Sequence, residues 1–165
     1  MGINQSTRIF PIKTILLAGC LVGTLDILSA CIDYYIATGK EPSGIFRYIA
    51  SGVFGEAAFT GNSGMIVAGL LFHYIIAFTF TFFFFWLYAA STLNTWNPVL
   101  TAFVYGIFIW IAMNLGVVRL SRVNSAPLSA MQPAKVIKSY LILVFMIGIP
   151  LSLIANRYSR VKEEH

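Results

Sequence analysis

The sequence predicts an all-α integral membrane bundle of four transmembrane helices, with an amphipathic interfacial helix between the first and the second. Three observations carry that expectation. Of 165 residues, 58% are hydrophobic and only 10% charged, against roughly 25% charged in a soluble chain. One core of this size cannot hide so much apolar surface from water, so lipid is the expected solvent. Four apolar stretches, residues 14–37, 64–90, 98–118 and 136–155, each come close to or exceed the roughly 20 residues needed to cross hydrocarbon. Residues 43–57 are too short to span and apolar on one face only. The length fits a single membrane domain over residues 1–165.

Each element has its own punctuation. The break after residue 57 is Gly61-Asn62-Ser63-Gly64, and the next runs from Asn94 to Asn97, both turn-like. Asn97-Pro98 reads as an N-cap followed by proline at the first helical position, and Pro133 introduces the fourth segment in the same way. Gly148 and Pro150 predict a kink in that segment. In residues 43–57, Ile45, Phe46, Ile49, Ala50, Val53 and Ala57 share one face, with Arg47 and Ser51 on the other. That pattern favours a helix lying in the interface, with a re-entrant helix as the alternative. Glu56 falls on the apolar face and either ends the helix or aims a carboxylate into the bundle.

The first segment carries the most informative pattern. Gly19, Gly23, Asp26, Ala30, Asp33 and Ala37 follow one another at spacings of four and three, a coiled-coil seam filled with small and acidic residues. Small residues let helices approach closely in lipid, where packing and interhelical hydrogen bonds replace the hydrophobic drive. Leu21, Leu25, Leu28, Ile32 and Ile36 occupy the opposite side and are expected to face lipid or a bulky neighbour. Asp26 falls at mid-span, where an aspartate costs about 2.5–3.5 kcal/mol, so it must be protonated, paired or hydrated. Asp33, two turns on, lies nearer a surface. The candidate partners are His73, Asn114, and Arg47 or Arg119 near the interfaces.

The second segment repeats small residues at four-residue spacing around a histidine: Gly69, His73, Ala77 and Thr81. Its Phe78, Phe80, Phe82 to Phe85, Trp86 and Tyr88 read as lipid-facing bulk, with Trp86 and Tyr88 as an interfacial belt. A stack for a flat cofactor is the other reading. The third segment has Ala102 and Gly106, then Ala112 and Gly116 on an adjoining strip. His73 and His165 are the only histidines, so a haem held by two histidines of one chain is excluded.

Other chemistries find little support in the residues. No basic run with interleaved aromatics suggests nucleic acid, and no spacing of Cys, His and acids suggests a metal. No cofactor is expected. Cys20 and Cys31 fall on one helix about 16 Å apart, too far for a disulfide. Leu17-Ala18-Gly19-Cys20 has the form of a lipoprotein cleavage box, but only three residues separate it from Lys13 and the apolar run continues beyond it. With four spans, Arg8, Lys13, Arg157, Arg160 and Lys162 share one side, and Lys40, Arg47, Arg119, Arg122, Lys135 and Lys138 the other. The count shows no bias; the cations that precede the first helix favour cytoplasmic termini.

Several stretches together resemble a family of uncharacterised four-span bacterial inner-membrane proteins. They are Leu17-Ala18-Gly19, Gly23-Thr24-Leu25-Asp26, Ile49 to Gly55 with Ala58-Phe59, and Gly69 to Tyr74 with Ile76-Ala77-Phe78. Tyr105-Gly106, Trp110, Met113-Asn114 and Gly148-Ile149-Pro150 extend the resemblance over most of the chain. Two positions depart from it. Gly61-Asn62 stands where the family pattern has a glycine pair, and Arg119-Leu120-Ser121 where it has Pro-Leu-Ser. The resemblance implies the four-span architecture and the bacterial inner membrane, and brings no established activity.

Two functional expectations remain. One is a non-catalytic membrane module, surrounded by the lipid bilayer and assembling with itself or a membrane-protein partner through the seams at Gly19, Gly23, Ala30, Gly69, Ala77 and Gly106. The alternative is a proton-coupled transport or small-ligand-binding element centred on Asp26 and His73. An enzyme is disfavoured, because no nucleophile with its base and no phosphate loop is recognisable.

Overall fold

The computed structural model describes residues 10–123 and 131–163, with side chains through Arg160. Arg8 and His165 lie outside the described residues, and so does the side chain of Lys162. The described chain is all helical. Four helices are long and apolar enough to cross a membrane: α1 (Ile12–Thr38), α4 (Gly64–Ala90), α5 (Pro98–Leu120) and α6 (Pro133–Arg160). Between α1 and α4 lie α2 (Ser43–Phe54) and the single turn α3 (Ala57–Thr60). The chain is therefore a multi-pass membrane bundle.

Helix ends follow local chemistry. α1 stops where Gly39 turns left-handed (φ 67°) and its N–H bonds back to the Tyr35 carbonyl, a conformation glycine adopts without a Cβ penalty. Asn97 caps α5 by accepting from the Val99 N–H, with Pro98 at the first turn. Pro133 opens α6 in the same position. The expected irregularity in α6 takes the form of a π-helical turn at Val144–Gly148, just before Pro150. A second π-helical turn, at Ala112–Val117 in α5, has no proline near it.

The expected helix over 43–57 is shorter than its periodicity suggested. It ends at Phe54, Gly55 breaks it (φ 62°, ψ −144°), and Ala57–Thr60 forms a separate turn. Glu56 is exposed in the break and does not enter the bundle. Ser51, expected on the polar face, is buried and donates to the Tyr48 carbonyl.

The packing is asymmetric from end to end. α1 lies against α4 and α6, α5 lies against α6, and α4 meets α5 through rings: Phe83 stacks on Phe108 (5.0 Å) and Phe84 meets Tyr105 edge-on (4.8 Å). Around the end that holds the start of α1 and the last turns of α6 the core is dense, with Phe10, Phe85, Tyr88 and Tyr158 in ring contact. Phe84, Phe85 and Tyr88 thus belong to the core. The expectation that Tyr88 joins an interfacial belt is corrected; Trp86 alone of that pair is exposed. The sequence puts Phe84, Phe85 and Tyr88 on the face that already carries Ala77 and Thr81, so the same helical turn directs all five inward. The other end is where α2 inserts, and there the packing is open.

Candidate functional site

The small-residue rows meet each other. On α4, Gly69, His73, Ala77 and Thr81 are all buried. A Cβ on Gly69 would run into the Phe46 carbonyl of α2, so glycine lets α2 rest its backbone on α4. One turn further, His73 Nε2 lies 2.8 Å from the carbonyl oxygen of Gly23 on α1. A carbonyl only accepts, so Nε2 carries the hydrogen, and Nδ1 is the ring nitrogen left free of this contact. Gly23 packs on Tyr74 and Ala77, and Gly19 on the ring of Phe78. Beside them the Tyr74 hydroxyl meets Thr24 Oγ1 at 2.8 Å. Because the Thr24 hydroxyl already donates to the Cys20 carbonyl, Tyr74 is the donor to Thr24.

Below this contact the helices separate. A cavity of about 450 Å³ opens between α1, α4, α5 and α6 and is covered by α2. Asp26, Ile27 and Ala30 line it from α1, and Phe72, His73, Ala77 and Phe80 from α4. Ile109 and Met113 contribute from α5, Leu143 and Ile147 from α6, and Ile45, Tyr48, Ile49 and Val53 from α2. The volume lies in the range of ligand pockets, about 300–1,000 Å³. Its wall is overwhelmingly apolar. Asp26, His73, Tyr48 and Ser121 supply its polar side chains, and among the described residues no Lys or Arg lines it.

Asp26 and His73 are close enough to interact electrostatically. Among the described residues the Asp26 carboxyl accepts no hydrogen bond from the protein, while its backbone carbonyl takes the Ser29 hydroxyl. On α2, burial pushes the Tyr48 phenol above its ordinary range, so it stands over the cavity as a neutral hydroxyl.

The remaining candidates have partners elsewhere. Asp33 pairs with Lys138 of α6; Lys138 was not among the partners the sequence suggested for the acids. Arg47 Nη1 donates to the carbonyls of Ala58 (2.9 Å) and Gly61 (2.8 Å). It is tied to backbone and not to a buried acid, which corrects that expectation. Asn114 donates back to the Trp110 carbonyl within the π-helical turn of α5 (2.9 Å) and is not a partner of Asp26. Gly106 packs on Val144, and Gly148 on the Ala102 backbone, which closes α5 onto α6. Cys20 and Cys31 are free thiols.

No family model matches the chain, and neither a curated protein nor a solved structure matches it.

Proposed function

We propose that this protein binds a small hydrophobic ligand within the membrane, in the cavity between the four spans and α2. The carrying observation is the cavity itself: about 450 Å³ of apolar space with, among the described residues, a single carboxyl and a single imidazole in its wall. Small-residue seams could equally serve assembly between chains. Here, however, Gly19, Gly23, Gly69, Ala77 and Gly106 are used inside one chain, against Phe78, Tyr74, Phe46, Gly23 and Val144 respectively. Ala30, on the same seam, lines the cavity, as Ala77 also does. Ligand binding therefore takes precedence over assembly with a second copy or a partner.

A photo-crosslinking experiment tests this in lipid nanodiscs. An alkyl diazirine alcohol should label Tyr48, Phe72 and Met113, and the Ala30→Trp variant, which fills the cavity, should lose those adducts while eluting as the wild type does. Adducts confined to outward residues such as Leu28 and Ile36 would sink the reading.

The bacterial inner membrane, with cytoplasmic termini, is the placement we propose. It rests on the resemblance and on Arg8 and Lys13, the cations that precede the apolar run of α1. Two of the six cations at the other end are also engaged, Arg47 by carbonyls and Lys138 by Asp33. A phosphatase fused after His165 should be inactive in cells, and an active fusion would reverse the orientation.

A further inference from the structure

We infer that the ligand of this cavity is a lipophilic cation, an apolar body carrying one protonated amine that binds at Asp26. The inference rests on the ligand-binding reading above and adds the chemistry of the head group.

The argument starts from what the wall offers. An anionic head would need a cation or several N–H donors, and among the described residues no Lys or Arg lines the cavity. Arg47 and Lys138 are held elsewhere, by the carbonyls of Ala58 and Gly61 and by Asp33. The acceptors, by contrast, converge on one side. Asp26 has no protein hydrogen-bond donor among the described residues, and His73, its electrostatic neighbour, has its Nε2–H committed to Gly23. A carboxylate facing apolar space without donors is costly, and the cost is removed when a cation with N–H groups arrives. Phe72, Phe80 and Tyr48 add ring faces that attract a cation. The rest of the wall is hydrocarbon, which suits an aliphatic or aromatic body.

A series with one body and three heads isolates the claim. A biphenylyl-butyl body carrying an amine, a hydroxyl or a carboxylate would compete against the diazirine alcohol for the cavity adducts in nanodiscs. The amine should compete at least about tenfold better than the alcohol, as expected for a charge-assisted hydrogen bond over a neutral one, and the carboxylate should be weakest. In Asp26→Asn the advantage of the amine over the alcohol should disappear. Amine and alcohol competing equally in the wild type would overturn the cation and leave the cavity reading intact. Preference for the carboxylate would overturn it too. Cavity adducts absent altogether would remove the ligand-binding reading on which the inference stands. The wild-type comparison needs no variant to fold.

Discussion

His73 on α4 donates from Nε2 to the backbone carbonyl of Gly23 on α1, across 2.8 Å. Two helices fifty positions apart are thereby fixed in register at the upper wall of the cavity, and each needs the other's residue type. Gly23 has no side chain to hold the imidazole away from the carbonyl, and His73 is the one side chain of its row long enough to reach it. The contact also orients the ring, so that its free nitrogen is Nδ1.

Replacing His73 by Leu keeps the bulk and removes the donor. The Gly23 carbonyl retains a place in the α1 ladder, so it is not orphaned, and the expected loss of stability is small. Interhelical side-chain hydrogen bonds in membranes average about 0.6 kcal/mol and reach about 1.7. A denaturant titration in micelles should show a decrease within that range. A loss beyond about 3 kcal/mol would mean that His73 organises more than this one bond.

Glycines of the same type should behave differently according to what lies above them. At Gly69 a Cβ would collide with the Phe46 backbone, so Gly69→Ala forces α2 off α4, at a cost of about 1–3 kcal/mol for overpacking. At Gly116 nothing lies within 4 Å of the Cβ position, so Gly116→Ala should be neutral or slightly stabilising, since alanine is the better helix former. Thermal unfolding of the two variants side by side checks this. Equal effects would show that α2 does not rest on α4 as described.

Much of this was legible in the sequence, and the limits are instructive. Helix lengths follow from runs of apolar residues, and the row Gly69, His73, Ala77, Thr81 was already visible as a buried face. The same row extended by two turns reaches Phe84, Phe85 and Tyr88, which are core. Reading them as a lipid-facing belt gave their aromatic character more weight than their phase. The Asp33–Lys138 pair joins residues 105 positions apart, and local pattern holds no trace of it. The cavity was equally hidden. It arises where five elements fail to fill the space between them, and a sequence states which side chains face inward, not how completely they meet. The π-helical turn at Ala112–Val117 had no signal comparable to Gly148-Ile149-Pro150 in α6.

Asp33 and Lys138 join α1 to α6 with both side chains partly exposed, 37% and 55%. A pair so open is worth little, about 0–1 kcal/mol. Asp33→Asn and Lys138→Gln should each lower stability by no more than that. The exchange Asp33→Lys with Lys138→Asp should recover most of what Asp33→Lys alone loses by placing two cations together. A double-mutant cycle at low ionic strength measures the coupling. Zero coupling there would mean that the contact does not hold α6 against α1.

Arg47 governs the cover of the cavity without lining it. A helix of four residues leaves its last carbonyls without partners, and the guanidinium takes that of Ala58 in α3 and that of Gly61 just after it, a cation at a helix C-terminus where the dipole also favours it. Arg47→Met keeps the apolar stem and removes both donors. Hydrogen bonds to charged groups are worth about 1.5–3 kcal/mol, and the loss should fall on the connection over residues 55–63, not on the spans. Amide hydrogen exchange in nanodiscs should quicken there by at least about tenfold and stay unchanged in α5 and α6. Arg47→Lys should recover part of the protection, as a point charge reaches one carbonyl better than two. Because Arg47 belongs to α2, whose Ile45, Tyr48 and Ile49 close the cavity, a loosened connection should also increase labelling of Met113 by the diazirine alcohol. Protection unchanged over 55–63 would mean that α2 is held over the cavity by its contact with Gly69 alone.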